Sequence, residues 1–166
     1  MSNKAKKIFL ALTVIVPFII YCVAYYIPIF RNAPFRLNDF VSVQYSWGVN
    51  DSLENHYNSV TGEYQYINSR DSMVRKKVLL NHDNIIYLHS KARELGLWNF
   101  PDTLGEKSPT SKQIPRYVIV FNYKEKSKRV VIYANFDGNP KLVGAAVGVR
   151  KAIEETINMA ERRSGK

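Results

Sequence analysis

Residues 8–30 read IFLALTVIVPFIIYCVAYYIPIF, an apolar run of 23 residues without a charged side chain. As an α-helix this run would be about 35 Å long, enough to cross a hydrocarbon core of about 30 Å. Pro17 and Pro28 lie inside it, and membrane helices tolerate proline because neighbouring groups can bond the freed carbonyls. The sequence therefore predicts a transmembrane anchor over residues 8–30, preceded by a basic tail over residues 1–7.

The charges on the two sides of this run favour a cytoplasmic N-terminus. Three lysines and the amino terminus precede the run, whereas Arg31 and Arg36 follow it. Because positive charge is retained inside, we expect a single-pass membrane protein with an extracytoplasmic domain. The opposite topology would place a basic domain against the anionic cytoplasmic leaflet.

A cleaved signal peptide, a lipid anchor and a buried soluble helix are the alternatives to this span. A basic start, an apolar stretch and Ala24 as the last residue before cleavage fit a signal peptide. However, the apolar run continues six residues past Ala24, and Cys22 would occupy position −3. Lipidation of Cys22 would require a small residue before it, where the chain has Tyr21. We therefore favour an uncleaved anchor.

Composition limits the chain beyond the anchor to one domain without disulfides. The chain has 166 residues, and its only cysteine, Cys22, lies in the apolar run. The net charge is +10, and without Lys4, Lys6 and Lys7 there remain 21 basic and 14 acidic residues. This charge favours contact with anionic headgroups or other polyanions, although a solvated lysine-rich surface is the simpler interpretation.

Residue patterns predict five strands and two helices beyond the anchor. Val43, Tyr45 and Trp47 fall on one face of the first strand, with polar residues between them. Asn81 is expected to cap the first helix and Gly96 to end it. The expected elements are, in chain order, strands over residues 39–47, 60–67 and 73–80, a helix over residues 82–95, strands over residues 116–123 and 128–136, and a helix from residue 140.

These elements predict a transmembrane helix followed by a two-layer α+β domain over residues 39–160. The domain would have an antiparallel sheet with two helices on one face, in the order β-β-β-α-β-β-α. Residues 31–38 would form a tether, and residues 161–166 a frayed tail. Two long polar loops, over residues 48–59 and 102–115, would connect the elements.

The sequence contains no motif for catalysis, a cofactor, a metal or nucleic acid. It has no G-x-S-x-G, P-loop or G-x-G-x-x-G pattern. His82 and His89 are seven residues apart, about 10.5 Å along a helix, too far to share a metal ion. The later strands carry aromatic and basic residues, but the element order differs from that of an RRM. We therefore predict no cofactor, no metal, no catalytic residue and no nucleic-acid partner.

Asp51, Glu54 and His56 form the candidate recognition loop. Two carboxylates and an imidazole can perform acid–base chemistry or bind a cation. Their spacing fits neither an EF-hand nor a nucleophile motif, and a solvated loop is the simpler interpretation. Long loops on a compact domain often carry recognition, which also applies to residues 102–115.

Three stretches resemble a class of bacterial envelope domains. They are Tyr45-Ser46-Trp47-Gly48, Gly62-Glu63-Tyr64-Gln65-Tyr66, and Ala92 through Leu97-Trp98-Asn99-Phe100-Pro101. Within residues 39–136 the layout is similar to small membrane-anchored or lipoprotein-like domains of Bacteroidota-type bacteria. The resemblance implies no activity and no functional residue.

The combined features favour a non-enzymatic membrane protein whose exported domain binds another protein or an envelope component. One alternative is an accessory subunit of a membrane complex, joined through its span. The other is an envelope enzyme that acts on an anionic substrate with Asp51, Glu54 and His56. That enzyme would need the three side chains to converge in one pocket.

Overall fold

The chain divides into two compact units, residues 1–34 and residues 35–166. This division comes from a computed structural model, which describes residues 3–32, 35–49, 53–106 and 114–164. The first unit is a single helix, α1, which spans Asn3–Asn32. The second unit is a sheet with helices, so the mixed α+β class predicted from the sequence is confirmed.

Helix α1 exposes its apolar side chains along its length. Phe9, Leu10 and Ile20 are 66%, 68% and 63% exposed. The segment Lys6–Ile27 is long and apolar enough to cross a membrane, and its most apolar part is not buried. The predicted apolar helix is therefore confirmed, with ends a few residues beyond residues 8–30.

The second unit contains strands and helices in an order that differs from the prediction. Its described elements are β1 Phe40–Val49, β2 Asn55–Asn58, β3 Glu63–Ile67, β4 Met73–Lys77, α2 His82–Glu94, β5 Thr103–Leu104, β6 Pro115–Tyr123, β7 Ser127–Tyr133 and α3 Pro140–Ser164. Seven strands replace the five expected, so the order β-β-β-α-β-β-α is wrong. Helix α3 continues to Ser164, so residues 161–164 of the tail predicted to fray are helical.

The strands form one sheet in the spatial order β4-β3-β2-β1-β6-β7-β5. All neighbouring strands pair antiparallel except β5 and β7, which are parallel. The prediction of an antiparallel sheet is therefore wrong for this one pair. Strand β2 lies in the segment predicted as a polar loop over residues 48–59. Strand β5 lies in the loop predicted over residues 102–115, where Val131 N–H donates to the Asp102 carbonyl at 2.9 Å.

Both helices of the second unit pack on one face of the sheet. From α3, Glu154 meets the Tyr45 hydroxyl of β1, and from α2, His89 meets the Tyr123 hydroxyl of β6. Strand side chains alternate between faces, so every second residue points to these helices. The core between the layers contains Val43, Tyr45, Tyr57, Leu88, Ala92, Ile119, Phe121, Val130, Val149, Ile153 and Ile157.

Helix α2 begins and ends where the sequence predicts. The Asn81 side chain accepts from Asn84 N–H at 2.9 Å, and the Asn84 side chain accepts from Asn81 N–H at 3.2 Å. This reciprocal pair satisfies two otherwise free donors of the first turn. Gly96 follows the helix with φ 73°, a conformation that favours glycine.

Helices α2 and α3 run antiparallel to each other. Arg163, near the end of α3, donates to Asn84 at the start of α2 at 2.5 Å. At the other end, a Cβ on Gly148 would lie 3.0 Å from Leu95. Phe35, in the segment predicted as a tether, stacks on Trp98 with ring centroids 4.5 Å apart. The second unit is therefore packed from its first described residue.

Candidate functional site

The structure describes two of the three predicted recognition residues. Asp51 lies outside the described residues, so the convergence that the enzyme alternative requires is not tested. Glu54 lies just before β2, where its backbone carbonyl accepts from the Gln65 side chain at 3.0 Å. His56 lies on the sheet face opposite the helices, with Nε2 3.5 Å from Glu63 Oε1. Of the second predicted loop, residues 107–113 also lie outside the described part.

One end of the sheet holds two clefts on either side of Tyr117. At this end, which we call the Tyr117 end, β1, β3 and β7 finish while β2 and β6 begin. Both predicted loops have described residues beside strands of the sheet. In the first loop, Val49 ends β1 and Leu53 lies just before β2. In the second loop, Glu106 follows β5 and Ile114 precedes β6. Tyr117 is a lining residue of both clefts.

The first cleft, which we call the polar cleft because a larger share of its lining surface is polar than in the second, has a volume of about 290 Å³. Its walls include Trp47, the carboxylate residues Glu54 and Asp71, and Asn55. Asn55 holds the strand ends together, because its amide donates to the Trp47 carbonyl at 3.0 Å and accepts from Ile67 N–H at 2.8 Å. Two acidic side chains beside aromatic rings suit a cationic or hydrogen-bonding ligand.

The second cleft is apolar and has a volume of about 170 Å³. It lies between the first half of α3 and the sheet, at the start of β6 and the end of β7. Its lining residues are Tyr117, Ile132, Tyr133, Ala134, Phe136, Val143, Ala146, Val147 and Arg150. Arg150 is the one charged residue among them, so a positive charge adjoins an otherwise apolar cleft.

Arg150 is held by an aromatic ring and a distant carboxylate. Its guanidinium carbon lies 4.5 Å from the Tyr117 ring centroid, a cation–π contact. Its Nε lies 3.8 Å from Glu154 Oε1, beyond hydrogen-bonding distance. In the part of the chain that the structure describes, this Nε is buried without a hydrogen-bond partner.

The Glu154 carboxylate is engaged by a buried tyrosine. The Tyr45 hydroxyl donates to Glu154 Oε1 at 2.6 Å, and Tyr45 has no exposed surface. Burial, and then the neighbouring Glu154, raise the pKa of Tyr45, so its hydroxyl stays protonated and remains a donor. Glu154 therefore has a strong partner in Tyr45 and only a long ion pair with Arg150.

Stacked aromatic rings connect the two clefts. Tyr45 stacks on Trp47 with centroids 4.9 Å apart, and it lies parallel to Tyr117 at 6.5 Å. Trp47 continues the series to Tyr64 at 6.2 Å. These rings lie on the helix side of β1, β6 and β3, as the alternation of the strands requires.

The two histidines of α2 lie in different surroundings. His89 is buried, and its Nδ1 lies 2.8 Å from the Tyr123 hydroxyl. His82 is exposed at the start of α2. Among the described residues, no group of three or more His, Cys, Asp or Glu side chains is placed to hold a metal ion.

Sequence reasoning placed Tyr117 on a strand but missed Arg150. The signal was available in the last helix, where Val143, Ala146 and Ile153 mark an apolar stripe. Arg150 lies seven residues after Val143, four after Ala146 and three before Ile153, so it falls on that stripe. A charged residue at a core-facing position is unusual and points to a special role.

Comparison with protein-family models finds no match for this chain. Comparisons with curated protein sequences and with solved structures find no match either. The function therefore has to be inferred from the geometry of the clefts and from α1. An arginine beside apolar walls can bind an anion through charge-assisted hydrogen bonds, while the polar cleft offers acceptors.

Proposed function

We propose that this chain is a single-pass membrane protein whose second unit binds a protein or an envelope component at the Tyr117 end. The observation that carries the proposal is the pair of clefts on either side of Tyr117. Concave sites with aromatic walls and a few convergent polar groups are where proteins bind ligands. The proposed role is binding rather than catalysis.

The exposed apolar surface of α1 supports the membrane half of this proposal. A contiguous apolar surface of that length is unfavourable in water, and it typically marks contact with a membrane or another protein. Lys4, Lys6 and Lys7 at its start favour an N-terminus on the cytoplasmic side. The second unit would then lie outside the cytoplasm.

The chain topology supports the binding half. Both loops predicted to carry recognition have flanks that adjoin strands at or beside the Tyr117 end. Glu54 and Asp71 line the polar cleft there, and both are exposed. A partner at this end would contact acidic side chains on one side of Tyr117 and an apolar surface on the other.

Charge reversal at the Tyr117 end tests this proposal. Full-length tagged chain carrying E54K and D71K would be crosslinked in membranes, and its partners compared quantitatively with those of the wild type. The matched control is E125K, because Glu125 is an exposed acidic residue in the β6–β7 turn, at the opposite end of the sheet. We expect E54K and D71K to lose a stoichiometric partner that E125K retains.

The proposal is contradicted if the chain carrying E54K and D71K recovers the partner as well as E125K does. Cooperative unfolding of both proteins shows that they are folded in this comparison. An accessory subunit of a membrane complex, joined to it through α1, is the alternative to this proposal. In that case the partner would be lost when residues 1–34, the first unit, are replaced by an unrelated anchor, while the Tyr117-end variants would retain it.

A further inference from the structure

We infer that the apolar cleft binds a small monocarboxylate with an apolar tail, and that Arg150 pairs with its carboxylate. This inference rests on the proposed function, because it assumes that the cleft is a binding site, and it adds the class of ligand. The ligand would lie between α3 and the ends of β6 and β7, with its tail against Ile132, Phe136 and Val147.

The first reason is the incomplete bonding of Arg150. Buried polar atoms in native proteins nearly always have a hydrogen-bond partner, and an unpaired one needs an explanation. Arg150 Nε is buried without a partner in the described part of the chain. Glu154 does not supply one, because it accepts from Tyr45 and lies 3.8 Å from Nε. An anion in the cleft would give the guanidinium a closer counter-charge than Glu154, whose Oε1 lies 3.8 Å from Nε.

The second reason is the chemistry of the walls. Apart from Arg150, the lining consists of aliphatic and aromatic residues, so the cleft would bury an apolar group and one negative charge. A phosphate dianion would usually need several cations or a set of convergent donors. The cleft offers one guanidinium, that of Arg150, and the Glu154 carboxylate lies near it. One positive charge next to a negative one suits a ligand with a single carboxylate.

The third reason is size. The cleft volume of about 170 Å³ is close to that of an engineered cavity, about 150 Å³, which binds benzene. A phenyl ring or a short alkyl chain would therefore fit, whereas a nucleotide or a full acyl chain would not. Phenylpropionate combines such a ring with a carboxylate on a short flexible arm.

Fluorine NMR tests this inference with the full chain in phosphatidylcholine nanodiscs. The probe is fluorophenylpropionate, and empty nanodiscs correct for partitioning into lipid. We expect saturable binding with a Kd on the order of 1 mM or tighter. R150Q should weaken it about tenfold or more, since the charge-assisted pair is lost while most of the side-chain stem remains.

Three comparisons keep the test specific. K151Q removes a neighbouring exposed cation that does not line the cleft, so it should bind the probe as the wild type does. The neutral fluorophenylpropanamide should bind the wild type about tenfold more weakly than the acid. V147F fills the cleft and leaves Arg150 in place, so it should abolish binding even if R150Q does not fold.

The inference is overturned if the wild type shows no saturable binding up to about 10 mM, or if acid and amide bind equally. It is also overturned if folded R150Q or V147F binds like the wild type. The proposed function is judged separately, by partner loss in E54K and D71K on the polar side of Tyr117. A failed probe with that partner loss intact would remove the ligand class alone.

Discussion

The Tyr45 hydroxyl links the sheet to α3 through one buried hydrogen bond. Its acceptor is the Glu154 carboxylate, and such charge-assisted bonds contribute more to stability than neutral ones. We expect Y45F to lower the free energy of unfolding by about 1–3 kcal/mol, because Glu154 loses its donor. Denaturant unfolding followed by tryptophan fluorescence measures this change, since both tryptophans lie in the second unit.

The matched control for Y45F is Y87F. Tyr87 lies on the exposed side of α2 and is 36% exposed, so removal of its hydroxyl should leave the free energy of unfolding unchanged within about 0.5 kcal/mol. Equal effects of the two variants would show that the Tyr45–Glu154 bond contributes no more than an exposed hydroxyl.

His89 makes the stability of the second unit depend on pH. It is 6% exposed, and burial, followed by the charge of Arg93, lowers its pKa. The Tyr123 hydroxyl, the Trp98 ring and Arg93 are the polar, aromatic and charged groups near it. The unfolded chain therefore takes up the His89 proton more readily than the folded one. The contribution of neutral His89 to the free energy of unfolding is therefore complete above about pH 6.5 and is lost as the pH falls below that value.

We expect H89Q to flatten the stability profile between about pH 7.5 and pH 5 relative to the wild type. Urea unfolding at several pH values measures the slope. H82Q is the control, because His82 is exposed at the start of α2. A wild-type profile that H89Q leaves unaltered, or that H82Q flattens to the same degree, would contradict the assignment to His89.

The turn before β3 depends on a glycine, which can be tested at the level of the element. Gly62 has φ 71°, and a Cβ there would lie 2.7 Å from Leu79 and 3.2 Å from the Val78 carbonyl. Its carbonyl also accepts from Val78 N–H at 2.7 Å, which ties the turn to the segment after β4. We expect G62A to cost about 1–3 kcal/mol, measured by denaturant unfolding.

Gly144 offers the opposite case within the same unit. It lies in α3, a Cβ added to it would meet no heavy atom within 4 Å outside its own helix turn, and its φ is not positive. G144A should therefore stabilise the protein by about 0.5–1 kcal/mol through helix propensity. A loss of stability in G144A, or none in G62A, would show that backbone conformation does not decide these positions.

The elements with strong periodic patterns were predictable, and the two missed strands explain where such prediction fails. Strand β2 reads Asn-His-Tyr-Asn, so Tyr57 is its only apolar residue and no alternation can be recognised. Strand β5 has two residues and exists because it pairs along β7. Both are produced by the sheet that surrounds them and not by their own sequence. By contrast, Asn81 and Gly96 signal their helix ends by local chemistry.

At the scale of the whole molecule, the apolar helix and the α+β class followed from composition and pattern, but the clefts did not. Trp47 lies 70 residues before Tyr117, and Arg150 lies 33 residues after it. Only the sheet order and the packing of α3 bring these three residues together. Arg150 could have been noticed on its apolar stripe. Its contact with Tyr117, and the lack of a hydrogen-bond partner for its Nε among the described residues, could be seen only in the structure.

Membrane attachment is a prediction about the whole chain. If α1 spans the bilayer, the wild type should remain in the membrane pellet after alkaline carbonate extraction. I15K with I19K should release it, because a lysine at the centre of a membrane helix costs about 2.5–3.5 kcal/mol on insertion scales. Ile15 and Ile19 both lie within the segment Lys6–Ile27.

V60K with M73K is the matched control, since Val60 and Met73 are also exposed apolar residues but belong to the second unit. These lysines should leave the protein in the pellet, which separates loss of the span from a general gain in charge.

Intact mass decides the alternative of a cleaved signal peptide, because cleavage after Ala24 would remove most of α1. A wild-type chain of full mass that carbonate releases would contradict the span, whereas a shortened chain would make α1 a targeting segment. Retention of the full-length wild type and of V60K with M73K, together with release of I15K with I19K, would make α1 the attachment of the second unit to the membrane.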